Sequence, residues 1–135
     1  MADIDALITL RRALWPDDDS SPDELAALLQ RDDFAGFIAS IGGAPVGFAE
    51  ITLRRYIDGA PDAANGFLEG LFVAEGHRRQ GVADALLVAA SARARANGAT
   101  HLGSNADLDN DISQAWHRAM GFDEAGRMIN FAKPL

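Results

Sequence analysis

The sequence contains no cysteine. That excludes disulfides, thiolate metal sites and thiol nucleophiles, and it fits a cytoplasmic protein. No apolar run approaches the roughly 18 residues that a membrane span requires. The first ten residues, MADIDALITL, lack the basic-then-apolar order of a secretory signal. Neither the Walker nor the Rossmann glycine spacing is present. The three histidines are dispersed without ligand spacing, so no metal site is expected. Positive charge is scarce as well, with 12 Lys and Arg against 20 Asp and Glu and a net charge of −8. Such a chain repels nucleic acid and anionic membranes and attracts a small cation.

What is present is an ordinary globular composition, 48% hydrophobic and 24% charged over 135 residues. This is the size of one domain, taken as residues 1–135, with enough chain for a real core. DALITLRRALW (5–15) spaces Leu7, Leu10, Ala13 and Leu14 as one helical face. SPDELAALLQR (21–31) is a second helix, with Ser21 as N-cap and Pro22 at the first helical position. FAGFIASIGGAPVGFAEITLRRY (34–56) reads as two strands joined at GGAP, and APDAANG (60–66) as a loop. FLEGLFV (67–73) is a strand whose internal Gly70 suggests a bulge. GVADALLVAASARARANG (81–98) is a long helix stopped by Gly98. THLGS (100–104) is a short buried strand. DNDISQAWHRAMGF (109–122) is a helix with Ile112, Ala115, Trp116, Ala119 and Met120 on one face. The tail, 122–133, is expected to form one or two strands. The order predicts a mixed α/β domain built around one sheet.

The acidic runs PDDDSSPDE (16–24) and DLDND (107–111) have two readings, solvated surface with helix-capping duty or a rim that binds cations. Against this acidic background HRRQG (77–81) is conspicuous. A helix start exposes unpaired N–H groups with partial positive charge, and a preceding turn adds more, giving an anion cradle. Gly81 permits close backbone approach, Val82 and Ala83 open the helix, and Arg78, Arg79 and Gln80 flank it.

The strand GLFV (70–73), the turn HRRQGVA (77–83) and the long helix together resemble the coenzyme-binding core of the GNAT N-acetyltransferase superfamily. An Asn followed by an aromatic-containing helix ending in Gly-Phe, here Asn110 and SQAWHRAMGF, is the second shared feature. LWP (14–16), RRYIDG (54–59), FLEGLFV, RRQGVA, NDISQAWHRAMGF (110–122) and RMI (127–129) resemble one clade, the aminoglycoside 6'-N-acetyltransferases, whose activity confers antibiotic resistance. The resemblance implies a GNAT-like fold, acetyl-CoA as co-substrate and an amine acceptor. It assigns the coenzyme to Leu71, Phe72 and Val73, to Arg78, Arg79, Gln80, Gly81, Val82 and Ala83, and to Asn110. It places Trp15, Tyr56, Glu69 and Asn105 at the acceptor. The clade carries acids where this chain has Asn105 and Gly126, which implies a weak or broadened aminoglycoside transferase. The family also begins with a strand that is short or missing here. With an uncovered sheet edge, that implies a homodimer.

Each residue keeps a plainer reading beside the implied one. Glu69 either accepts the ammonium proton or forms a strand salt bridge. The oxyanion donor is expected to be a backbone N–H near Leu71 or Phe72. His117 either protonates the leaving thiolate or is a polar residue on the solvent side of its helix. Trp15 and Tyr56 are either hydrophobic plugs or walls for a sugar ring. Asn110 caps its helix and, by family position, also contacts the coenzyme. The competing functions are a transferase for another amine, such as a polyamine, a peptide or a lysine, and a coenzyme A-binding module without turnover.

Overall fold

A computed structural model describes residues 3–135. Helix α1 (Ile4–Leu14) is capped by Asp3 and buries Leu7, Ile8, Leu10 and Arg11. Helix α2 (Pro22–Leu29) starts with a full capping box, in which Ser21 and Glu24 satisfy each other's backbone N–H. Strands β1 (Phe34–Ile41) and β2 (Ala44–Arg54) form a hairpin. Its two turn residues, Gly42 and Gly43, both have positive φ, the backbone a tight antiparallel turn requires. Strand β3 (Asn65–Val73) pairs antiparallel with β2, so it begins two residues earlier than expected. After a single 3-10 turn (Glu75–His77) come α3 (Val82–Ala96), β4 (Leu102–Gly103) and α4 (Asp111–Ala119). Helix α3 ends in a Schellman motif. Ala99 N–H donates to Ala94 O, Gly98 N–H donates to Arg95 O, and Gly98 has φ +86°.

The sheet order is β1-β2-β3-β4, with only the β3–β4 pair parallel. Helix α3 covers one face, packing Leu86, Ala90 and Ala94 on Ala49, Ile51 and Leu68. Helices α1 and α2 cover the other, around Phe48. Burial on both faces explains why β2 is buried without interruption from Val46 to Ile51. Among the described residues, no helix is long and apolar enough to cross a membrane. The first strand, expected to be short or missing, would fall on MADI (1–4): Asp3 caps α1 and Ile4 begins it, and residues 1–2 lie outside the described residues.

Three expectations are corrected. The tail forms no strand: residues 123–135 are exposed and irregular. Alternating side chains do not make a strand without a partner edge, and β4 offers only two residues. Helix α4 also does not bury its apolar stripe. Ile112, at 86% exposure, faces outward with Ala115 and Ala119, and only Trp116 and Met120 of that set are half-buried. Strand β4 itself is half-buried, not buried.

Candidate active site

The β2–β3 register slips once. Glu50 faces Gly70 while Ile51 faces Leu68, so Glu69 is the extra residue of a β-bulge. The bulge turns Glu69 and Gly70 towards the face of α1. There the Trp15 ring lies where a side chain on Gly70 would start: an added Cβ would be 2.5 Å from both Cζ2 and Cη2. The bulge also changes which backbone groups are free. Ala74 N–H donates to Val46 O at 2.7 Å, which fixes the antiparallel phase. By alternation Phe72 bonds to Phe48, while Leu71 and Val73 turn their N–H and C=O groups away from β2. Of the two candidate oxyanion donors, only Leu71 therefore faces outward. The β3–β4 ladder stops at Phe67 and Gly103, so this outward side lies beside a gap in the sheet.

The gap leads to the start of α3. Gly81 is the N-cap, with φ +81° and no side-chain cap bond, and nothing lies within 4 Å of an added Cβ. The first N–H groups of α3 thus open onto free space, an arrangement that fits a phosphate. Arg79 holds a left-handed turn at φ +62° and is exposed, as is Gln80. Arg78 bends back instead, donating from Nε to Val73 O at 2.9 Å with its guanidinium 5.8 Å from the Phe72 ring. Val82 and Ala83 are half-buried against the α3-side core.

On the α1 face, the Glu69 carboxylate accepts from Thr52 Oγ1 at 2.6 Å and from Arg54 Nη2 at 2.5 Å. The plainer reading of Glu69, a strand salt bridge, is thus present in the fold. Trp15 meets Phe48 edge-on at 5.7 Å and joins the cluster around it, which makes it a plug as well as the bulge's neighbour. Beneath it, the Arg11 guanidinium bonds both carboxylate oxygens of Glu50 and, at 3.1 Å, Asp18. Burial pushes the Glu50 carboxyl up against the pull of Arg11, while the Ser20 hydroxyl, helped by Arg11, holds Asp18 below the usual carboxylate range. In the acidic run, Asp18 and Glu24 are therefore bound within the fold, whereas Asp17, Asp19 and Asp23 are exposed.

Tyr56 is not brought to Glu69. It is 69% exposed and donates to Asp58 at 3.0 Å from the loop after β2. Asn65, with no sequence signal beyond a turn, is fully buried and holds that loop. Its amide nitrogen donates to the carbonyls of Arg55, Pro61 and Ala63. Ile57 from the same loop is buried against Gly103.

Across the gap, Asn105 is exposed just past β4. Asn110 caps α4, accepting from Ser113 N–H at 3.1 Å. His117 is half-buried, not on the solvent side: Nδ1 donates to Ser113 O at 2.6 Å, and Nε2 accepts from the Ser104 hydroxyl at 2.8 Å. The ring is thereby fixed to the first residue beyond β4. The neighbouring Trp116 has its indole N–H buried without an acceptor among the described residues. No cluster of three or more His, Asp or Glu with metal-binding geometry occurs among them either.

The arrangement joins a helix start open to an anion, an open strand edge and a carboxylate at a bulge. The family model described as Acetyltransferase (GNAT) family matches residues 4–122. The aminoglycoside N(6')-acetyltransferase type 1 of Stenotrophomonas maltophilia is 40% identical, over 99% of this chain and 89% of the relative. The protein of that name from Salmonella typhimurium is 37% identical over 92% and 88%. Among solved structures, AAC(6')-Iy in complex with the bisubstrate analogue CoA-S-monomethyl-acetylneamine superposes with a TM-score of 0.89, at 34% identity, over 98% of this chain and 92% of the other. The 6'-N-acetyltransferase AAC(6')-Ih from Acinetobacter baumannii gives 0.89 at 31% identity, over 99% and 95%. The chain belongs to the GNAT acetyltransferase family.

Proposed function

We propose that the chain is an acetyl-CoA-dependent N-acetyltransferase, a single catalytic domain whose acceptor is the 6'-amine of an aminoglycoside. The observation that carries this reading is the Glu69 bulge, which sets a carboxylate beside a strand edge left open at Leu71. The names of the relatives and the analogue held by the AAC(6')-Iy structure support the choice of acceptor.

Bound acetyl-CoA supplies the thioester carbonyl and the thiolate leaving group. The N–H groups of α3 behind Gly81, with Arg79 and Gln80 at the mouth, hold the pyrophosphate. The outward N–H and C=O of Leu71 and the N–H of Val73 align the pantetheine arm, and Leu71 N–H faces the developing oxyanion. Phe72 and Arg78 shape this edge through side-chain packing. Glu69 holds the acceptor ammonium and takes its proton. His117, hydrogen-bonded to Ser104, relays a proton to the thiolate side through that hydroxyl. Trp15 walls the acceptor site, with Tyr56 and Asn105 at its margins, and Asn110 contacts the coenzyme. We place the protein in the cytoplasm, where acetyl-CoA is available. We also infer a homodimer, on the strength of the outer edge of β1, which has no partner strand among the described residues.

The test is thiol release from acetyl-CoA against aminoglycosides, polyamines and amine-bearing peptides. An aminoglycoside should be the best acceptor, with a KM that rises with salt. Glu69→Gln should lower kcat by about a hundredfold. Gly81→Asp, which puts a strained side chain and a negative charge at the phosphates, should raise the KM for acetyl-CoA about tenfold. Asn105 and the exposed Gly126 favour a second reading, in which a linear polyamine is the better acceptor. A neutral or singly charged amine as best acceptor, with full activity in Glu69→Gln, would overturn both. No thiol release with any amine leaves the coenzyme-binding module.

A further inference from the structure

The Glu69 carboxylate already holds a cation. Arg54, at the end of β2, donates from Nη2 to Glu69 Oε2 at 2.5 Å and from Nε to Thr52 Oγ1 at 3.2 Å. Its guanidinium carbon lies 3.9 Å from the Phe67 ring centroid. Thr52 and Phe67 are cross-strand partners, Arg54 is two residues on from Thr52, and Glu69 two on from Phe67. The four side chains therefore stand on one face of the sheet, the face that also carries Trp15. A carboxylate beside an aromatic face is a seat for an ammonium or guanidinium group. The occupant is loosely held: the Arg54 side chain is 43% exposed, against 26% for Glu69. It meets one carboxylate oxygen, not two, and swings on a long flexible stem.

We propose that Arg54 is a built-in competitor for the acceptor's cation, and so a specificity-determining residue. In the closed arrangement Arg54 neutralises Glu69 and occupies the seat between Thr52 and Phe67. An entering amine must displace it, and a single ammonium gains little by exchanging one cation for another. An acceptor with several ammonium groups displaces Arg54 with one of them and binds further carboxylates with the rest, for which the exposed Asp17 and Asp19, in the run that follows Trp15, are the candidates. Glu69 is free to take a proton only after Arg54 has left. The device sets a threshold on acceptor charge and weakens apparent affinity by the fraction of molecules in which the seat is open. This inference rests on the reading of Glu69 as the acceptor-side carboxylate.

The test compares Arg54→Gln, which removes the charge but keeps a donor, with Arg54→Lys, which keeps the charge. With neamine as probe, Arg54→Gln should lower the acceptor KM about tenfold, as expected when the seat is occupied about nine times in ten. The KM for acetyl-CoA should not change. The rise of acceptor KM with salt should steepen, because in the unmodified protein salt weakens the competitor as well as the substrate. Selectivity for neamine over a singly charged amine should fall, and Arg54→Lys should restore the original values. An unchanged or raised acceptor KM in Arg54→Gln overturns the proposal and makes Arg54 a structural residue or a substrate contact. Calorimetric binding of neamine to each variant in the presence of coenzyme A separates the two readings if no acceptor is turned over. Tighter binding by Arg54→Gln upholds the gate although the transferase reading fails, and equal, weaker or absent binding removes the gate.

Discussion

Gly70 is the residue on which the bulge at Glu69 depends. It has no positive φ to explain it; what it supplies is missing volume. A Cβ there would lie 2.5 Å from two Trp15 ring carbons and 3.2 Å from Leu14 Cδ2, so the ring must move or the bulge must flatten. Gly70→Ala should cost about 1–3 kcal/mol by overpacking, read as a fall of several degrees in Tm. It should also lower kcat, because Glu69 and Leu71 flank the displaced residue. An unchanged Tm and kcat would show that the Trp15 contact does not hold the bulge. The bulge was legible in FLEGLFV, because a glycine between apolar strand residues has few other uses. Its partner was not, since Trp15 is distant in sequence and α1 has to pack before the two meet. Arg11 was also invisible. On a helical wheel it lies four residues on from Leu7, on the apolar face, but only the fold brings Glu50 and Asp18 to it. The same holds for Asn65, whose three carbonyl partners come from a loop without regular structure.

Elements whose ends carry their own chemistry were legible. Ser21, Pro22 and Glu24 start α2, Gly42 and Gly43 turn the β1–β2 hairpin, and Gly98 stops α3. The turn into α3 was legible for the same reason, as only Gly81 meets the demand for positive φ at an uncapped start. Elements that depend on a partner surface were misread. The tail alternates like a strand, yet Ile129 is 75% exposed and Phe131 91%. The outer edge of β1, unpaired among the described residues, poses the complementary problem, with an open groove of about 640 Å³ beside it lined by Phe37, Ala39, Pro45 and Leu86. Uncovered edges and exposed apolar tails are commonly covered by a second copy. Light scattering should therefore return twice the 14.3 kDa of one chain, and Phe131→Asp should shift the mass towards the monomer. A monomeric mass for the unmodified chain across a wide concentration range would count against the homodimer.

At the scale of the molecule, the sequence pointed to the coenzyme side more clearly than to the acceptor side. Phosphate recognition is local, a few consecutive N–H groups and a glycine, whereas the acceptor seat draws on α1, β2 and β3 together. Two halves of unequal firmness also follow from the short β3–β4 ladder. Strands β1 to β3 share long ladders and both core clusters, while β4 pairs at two positions, α4 buries no residue completely, and residues 123–135 are exposed. The C-terminal third should therefore open on its own, at a free energy well below that of global unfolding. In deuterium exchange, amides of α4 should label long before those of β2. A ligand that touches Leu71 and the α3 start on one side and α4 on the other links the two halves, so acetyl-CoA should slow labelling in α4 far more than in β2. Equal slowing in both would mean that the domain opens as one cooperative unit. The gap between β3 and β4 would then be a recess in a rigid body, not the joint between a firm scaffold and a part that the coenzyme itself holds in place.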